Sequence, residues 1–238
     1  MCPVDIIERN ELRDRSRVFR DRADAGNVLA DMLHPYRHTD AIVLAIPAGG
    51  VPVAAVIADK LGLPLAVTVV SKITLPWNSE AGYGAVAFDG TVRLNEDLLP
   101  HLGLAKREIQ QGIDQTFQKV LRRVKMFRGN RPFPALAERP AILIDDGLAS
   151  GFTLLVAVEA LRKSSAQHII VAVPTGHEKS LLRTAGEVEA VYCANIRTGL
   201  SFAVADAYER WSDVDEDEVV RIYKTFIDQQ SHSKDRED

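Results

Sequence analysis

Short continuous apolar runs alternate along this chain with longer segments whose apolar positions recur at helical spacing. AIVLAI (41–46) is unbroken and ends at Pro47 and two glycines, and VPVAAVIADKLG (51–62) follows with helical periodicity and a glycine stop. LAVTVVSKI (65–73) is continuous and β-branched. Together these segments predict a βαβ unit, after an N-terminal helix in DRADAGNVLADMLHPY (21–36). Farther on, AILID, FTLLVAVEALRK, HIIVAVP, HEKSLLRTA and VEAVYCA predict strand, helix, strand, helix, strand. Strands that are apolar at every position, without alternation, are those of a parallel sheet covered on both faces. The expected fold class is therefore α/β, with a core parallel sheet of about five strands and helices on both faces.

Two segments break the alternation. ITLPWNSEAGYGA (73–85) has no period and predicts an irregular loop, and in AVAFDGTVRL (85–94) the pair Asp89-Gly90 between two β-prone runs predicts a hairpin. LAKREIQQGIDQTFQKVLRRVKMF (104–127) sets Ile109, Ile113, Phe117, Val120, Leu121 and Val124 on one stripe of a long helix. The acidic run 213–218 suits the N-terminus of a last helix. One domain over 1–228 is expected, with a small hood built from the termini and residues 74–95, and a disordered polar tail over 229–238.

Composition adds mainly exclusions. The 29 Lys and Arg are scattered among 33 Asp and Glu, for a net charge of −4, so no basic footprint for nucleic acid or an anionic membrane stands out. No window approaches the ~18 apolar residues of a membrane span, and the charged start has no signal-like apolar core. Cys2 and Cys193 form neither a disulfide framework nor a metal spacing, and the histidines stand apart from other ligand types. A reduced, cytoplasmic protein is the expectation.

The chemistry concentrates in ILIDDGLASGFTLL (142–155). An apolar strand delivers Asp145 and Asp146 to the carboxyl edge of the sheet, where open parallel sheets bind ligands. Gly147, Leu148, Ala149, Ser150, Gly151 and Thr153 then lead into a helix. Small residues let backbone N–H groups approach an anion, the Ser150 and Thr153 hydroxyls add donors, and carboxylates accept from a vicinal diol. The string asks for a ligand with a phosphate at one end and a sugar diol beside it. No P-loop and no G-x-G-x-x-G accompanies it.

This segment resembles the phosphoribosyl pyrophosphate (PRPP) signature of the type I phosphoribosyltransferases. AIPAGGVPVAAVIADKLG resembles the pyrophosphate loop and helix of a bacterial group of phosphoribosyltransferase-domain proteins, VVSKITLPWNSEAGYGAVAFDGTVRLNED that group's hood, and DAYERWSDVDEDEVVRIY its closing segment. The likeness covers about residues 19–228. It implies transfer of phosphoribose from PRPP to a nitrogenous acceptor, Mg²⁺ carried by PRPP, and a homodimer. Asp145 and Asp146 would take the ribose hydroxyls, residues 148–153 the 5′-phosphate, and Ala48, Gly49 and Gly50 the pyrophosphate, on a loop that often holds a non-proline cis peptide.

Lys72, read as the carboxyl end of the second core strand, is placed to neutralise pyrophosphate. The loop 74–85 would be a lid, where Trp77 and Tyr83 either close over the base or pack inside the hood, and Glu80 is either a general acid–base or a surface carboxylate. Tyr208 and Trp211 either line the base site or pack it. Two departures stand out: relatives commonly carry Arg at the place of Ala48, and the 6-oxopurine enzymes an acid at the place of Ala149. The first leaves open a noncatalytic PRPP- or nucleotide-binding regulator.

Overall fold

The computed structural model describes residues 6–199 and 201–234, without the side chains of 79, 80 and 231–234. In chain order the strands are β1 (Ile6–Glu8), β2 (Ile42–Ala45), β3 (Leu65–Val67), β4 (Val70–Leu75), β5 (Asn78–Ala87), β6 (Val92–Leu94), β7 (Ala141–Ile144), β8 (Ile169–His177) and β9 (Ala190–Arg197). The helices are α1 (Arg22–Met32), α2 (Gly50–Leu61), α3 (Leu99–Leu102), α4 (Lys106–Arg128), α5 (Phe152–Lys163), α6 (Glu178–Ala185) and α7 (Glu216–Lys234).

Six strands form one parallel sheet in the order β1-β9-β8-β7-β2-β3. Side chains alternate across it, as pleating requires. Val43, Ala45, Ile142, Ile144, Ile170 and Ala172 face α1, α2 and α7, whereas Ile42, Leu44, Leu143, Val171 and Val173 face α5 and α6. Both faces are dry, which accounts for apolar strands that lack sequence alternation. Gly26 of α1 sits where a Cβ would lie 2.9 Å from the Val53 carbonyl oxygen, so the two helices on one face cross closely.

Apart from β1, the order is that of a doubly wound sheet whose direction of growth reverses between β2 and β7. Connections from β2 run to one side and those from β7 to the other, so the loops leaving these two strands open a crevice. The chain that follows β2 carries residues 47–50, and the chain that follows β7 carries the acid pair.

Four expectations change. The run 65–73 is not one strand: β3 ends at Val67, Thr68 still donates to the Ala45 carbonyl at 2.8 Å, and β4 starts anew at Val70 in an antiparallel hood sheet of order β4-β5-β6. Lys72 therefore stands on the hood and not at the end of the second core strand. The stretch 74–85 is no irregular loop but a hairpin turning at Pro76-Trp77, with register shifts near Thr74. The N-terminal residues 6–8 add a sixth strand to the core sheet instead of joining the hood. Finally, α7 runs to Lys234, so the expected tail from residue 229 begins as helix; 235–238 lie outside the described residues.

The Asp89-Gly90 hairpin forms, with Gly90 at φ +89° and the Asp89 carboxylate accepting from the Thr91 N–H at 2.9 Å. Most of the stripe on α4 packs under the hood: Val120 is buried, and Ile109, Ile113, Phe117 and Val124 lie against the same core, whereas Leu121 is turned outward and 41% exposed. The acidic run opens α7, where Asp215 accepts from the Glu218 N–H at 2.7 Å.

Candidate functional site

At the crevice the two loops touch. Ile46 donates to the Ile144 carbonyl at 2.8 Å, the Pro47–Ala48 peptide is cis, and Gly50 donates to Ile46 at 3.1 Å. A Cβ on Gly50 would lie 2.7 Å from the Ile144 oxygen, and one on Gly49 would lie 1.9 Å from Asp146 Oδ2. These glycines permit the close approach; no larger residue fits against the acid loop as it stands.

The segment after Asp146 is shaped from outside. Leu148 exchanges backbone bonds with β8, donating to Thr175 and accepting from His177, both at 2.9 Å. Ser180 of α6 donates to the Ala149 carbonyl at 2.6 Å, and Arg183 donates to the Ser150 carbonyl. Gly151 takes φ +71°, a conformation in which a side chain is strained. With the carbonyls of 148–150 drawn off, the N–H groups of Ala149, Ser150 and Gly151 find no protein acceptor among the described residues, and they stand before the N-terminus of α5. Amides of this kind are an anion site.

A cavity of about 360 Å³ opens there, lined by Asp145, by every residue from 147 to 153, and from the other side by Lys72 and Val204. Asp145 is half-buried and bonded by the Asp146 N–H at 2.9 Å. Burial, and then the charge of Asp146, push its carboxyl well above the usual carboxylate range, against a smaller pull from Arg22. Gly82 leaves room for the Lys72 stem, since a Cβ there would lie 2.2 Å from Lys72 Cγ. A wider, more open hollow of about 920 Å³ adjoins at Phe152 and Arg183.

Asp146 has a different setting. Arg22 Nε and Nη2 both approach its Oδ2 at 2.9 Å, with the Arg22 side chain 10% and the Asp146 side chain 15% exposed. Arg22 also donates to the Ser212 carbonyl at 2.7 Å and lies 3.9 Å from the centre of the Trp211 ring. Tyr208 is buried, its hydroxyl donating to the Asp146 carbonyl at 2.7 Å and its own ionisation pushed up by burial. Asp146 therefore joins the β7 loop to α1 and to the closing segment.

The structure thus brings Asp145, Lys72 and 147–153 around one cavity. It leaves Asp146, and behind it Ala48, Gly49 and Gly50, outside the cavity lining. Tyr208 and Trp211 pack around Asp146 and Arg22 and do not line that cavity. Tyr83 is 1% exposed inside the hood, where a Cβ on Gly112 of α4 would lie 2.2 Å from its hydroxyl; it is a packing residue and not part of a lid surface. Trp77 is 64% exposed at the hairpin tip. The Glu80 side chain lies outside the described residues.

Arg22 is not among the residues that the sequence singles out, although one signal is present. It occupies the first helical position after the N-cap Asp21, where a cation opposes the helix dipole unless a carboxylate takes it. Val204, whose methyls sit where a Cβ on Gly147 would go, carries no signal.

No protein-family model matches the chain. It is 35% identical over 218 residues, 89% of its length, to a Mycobacterium tuberculosis H37Rv protein provisionally named phosphoribosyl transferase Rv0571c, and equally to MT0597 of strain CDC 1551. The chain spans about half, 48%, of the length of these curated relatives. Among solved structures, TT1426 from Thermus thermophilus superposes with a TM-score of 0.71 at 29% identity, over 87% of this chain and 98% of that one. No described helix is long and apolar enough to cross a membrane. Over nearly its whole length the chain is thus similar in sequence to a protein provisionally named phosphoribosyl transferase, and it carries an Asp-Asp-Gly loop at the switch point of a doubly wound sheet.

Proposed function

We propose that this protein transfers phosphoribose from Mg·PRPP to a nitrogenous acceptor, a nucleobase or related ring, with release of pyrophosphate. The observation that carries the reading is the cavity shared by Asp145 and the amides of 149–151: one wall accepts from hydroxyls and the other donates to a phosphate. In this reading the 5′-phosphate lies before α5, the ribose hydroxyls meet the acid pair, and pyrophosphate reaches toward residues 48–50. Mg²⁺ arrives as part of the substrate, held by its pyrophosphate and ribose oxygens.

The acceptor nitrogen attacks the anomeric carbon as its bond to the pyrophosphate oxygen breaks; the nitrogen gives up its proton and pyrophosphate leaves with the metal. Positive charge grows on the sugar and negative charge on the leaving group. The protein's part is to fix both ends of the sugar phosphate and to exclude water. Lys72 faces the cavity from the hood and would sit over the developing negative charge. The exposed hairpin tip bearing Trp77 is the segment placed to close over the acceptor.

A noncatalytic PRPP- or nucleotide-binding regulator is the second reading, favoured by Ala48, which brings no cation to the loop after β2. The two separate in one experiment: PRPP-dependent pyrophosphate release measured across a panel of nucleobases, alongside calorimetric binding of Mg·PRPP. Turnover with any base supports transfer, binding without turnover supports the regulator, and the absence of both defeats the cradle.

A further inference from the structure

We propose that α6 sets the phosphate cradle: Ser180 and Arg183 are positioning residues that turn the Ser150 and Gly151 N–H groups toward a ligand phosphate, and Arg183 adds a cation that the cradle's own loop does not carry. The inference deepens the reading above and rests on it.

A trans peptide is planar, so the carbonyl of one residue and the N–H of the next point in opposite directions. Holding a carbonyl therefore aims the N–H that follows it. The peptides of 148–151 are trans, and their carbonyls are taken one after another by the end of β8 and by α6. The Leu148 carbonyl accepts from the His177 N–H at 2.9 Å, which aims the Ala149 N–H. The Ala149 carbonyl accepts from the Ser180 hydroxyl at 2.6 Å, which aims the Ser150 N–H. The Ser150 carbonyl accepts from Arg183 Nη2, which aims the Gly151 N–H. All of these loop residues line the cavity. A loop with glycine at 147 and 151 could otherwise rotate a peptide and present carbonyl oxygen to an anion, which repels it.

The braces stand on a packed element. Ser180 and Arg183 are three residues apart on α6 and share one face of it, matching the adjacent carbonyls of Ala149 and Ser150. Ser180 is 6% exposed, and its own carbonyl accepts from the Thr184 hydroxyl at 2.9 Å. Between them, Leu181 is buried against Gly176, where a Cβ would lie 2.9 Å from its Cδ2.

Charge supplies a second reason. The loop GLASGFT has no basic residue. Lys72 and Arg183 are the cations in the cavity lining; Lys72 stands on the hood, whereas Arg183 is bonded to the cradle itself. A guanidinium has more N–H donors than that one bond uses, so the same group can hold the loop and meet the phosphate.

The test follows amide resonances in proton–nitrogen correlation spectra while the full chain is titrated with inorganic phosphate and, separately, with ribose 5-phosphate. In wild type the Ala149, Ser150 and Gly151 signals should all move downfield. Ser180→Ala should weaken phosphate binding roughly fivefold, the value of one neutral hydrogen bond, and shrink the Ser150 displacement while that of Ala149 persists. Arg183→Ala should weaken it roughly tenfold and shrink the Gly151 displacement. Arg183→Lys, which keeps a charge and a donor, should recover most of the affinity.

Displacements that shrink equally at all three amides in both variants overturn the proposal, because a general loosening of the loop does not follow peptide order; unchanged affinity in both variants overturns it as well. Arg183 is exposed, so its replacements carry the comparison should Ser180→Ala fail to fold. Wild-type spectra that neither phosphate nor ribose 5-phosphate moves would instead defeat the cradle itself, and the two failures are thereby distinct.

Discussion

Gly49→Ala probes the contact between the two loops at the switch point. Gly49 has φ −61° and ψ −29°, ordinary helical values open to any residue. On backbone grounds alone, alanine there should stabilise by about 0.4–1 kcal/mol by restricting the unfolded chain. The surroundings reverse that sign. The new Cβ would lie 1.9 Å from Asp146 Oδ2 and 2.4 Å from its Cγ, about 1.5 Å short of ordinary contact. The carboxylate must move by most of that gap, and the 2.9 Å bonds from Arg22 cannot survive it. Breaking a wholly buried pair by losing one partner costs about 3–5 kcal/mol; with 10–15% of these side chains exposed, water recovers part, leaving a net loss of about 2 kcal/mol. For a chain of this size that is ~4–8 °C in Tm. Differential scanning calorimetry gives the shift, and titration with Mg·PRPP should show weakened binding as well. A variant that melts at or above the wild-type temperature with unchanged affinity would refute the reasoning, because relief of chain entropy alone predicts that outcome.

Three further outcomes follow from the same geometry. Because the Asp145 carboxyl is pushed upward by burial and by Asp146, its proton is held more tightly folded than unfolded, so its contribution to stability is full below the ordinary carboxylate range and declines as pH rises through the elevated value. Asp145→Asn should therefore melt above wild type at pH 8, with the difference shrinking toward pH 4, while Mg·PRPP binding is lost; a variant less stable than wild type at pH 8 contradicts the assignment. Gly151→Ala, forced to φ +71°, should cost about 1–2 kcal/mol and weaken binding of inorganic phosphate and of PRPP alike, measured by thermal melts and calorimetry. Tyr208→Phe leaves the Asp146 carbonyl without its donor and should cost about 1–2 kcal/mol and reduce PRPP affinity, whereas Tyr83→Phe, buried in the hood away from the cavity, should leave affinity unchanged; equal effects on binding would show that the two tyrosines are wrongly distinguished.

What can be read from the chain depends on whether the signal is local. The doubly wound layers are legible because strands buried on both faces must be apolar throughout, and the acid loop because its small residues and position after a strand declare close backbone approach to an anion. The break between Val67 and Val70 is hidden: no Gly or Pro marks it, and β-branched residues suit the core strand and the hood strand equally. Pattern alone consequently assigns Lys72 to the wrong sheet, yet it reaches the cavity from the other side. β1, at three residues, is too short to show any period. Tyr83 and Tyr208 differ only in which neighbours they meet, Gly112 in one case and the Asp146 carbonyl in the other, and such contacts are settled by tertiary packing.

The division of labour between the two acids, by contrast, follows from a rule visible in the sequence. Residues of a strand point alternately to its two faces. Ile142 and Ile144 face α1 and α2, while Leu143 faces α5. Continuing that alternation past the end of β7 sends Asp145 toward the α5 side, where it lines the cavity with 147–153, and Asp146 toward the α1 side, where it meets Arg22 at the first position of that helix. An adjacent acid pair at the end of a doubly covered strand is therefore never two equivalent carboxylates. One faces the anion loop and bears the burial of that site; the other faces the opposite helical layer, and its charge requires a cation from that layer. The layer that supplies the cation is legible in this way, but the residue is not: Arg22 is identified only where the fold sets the first position of α1 against Asp146.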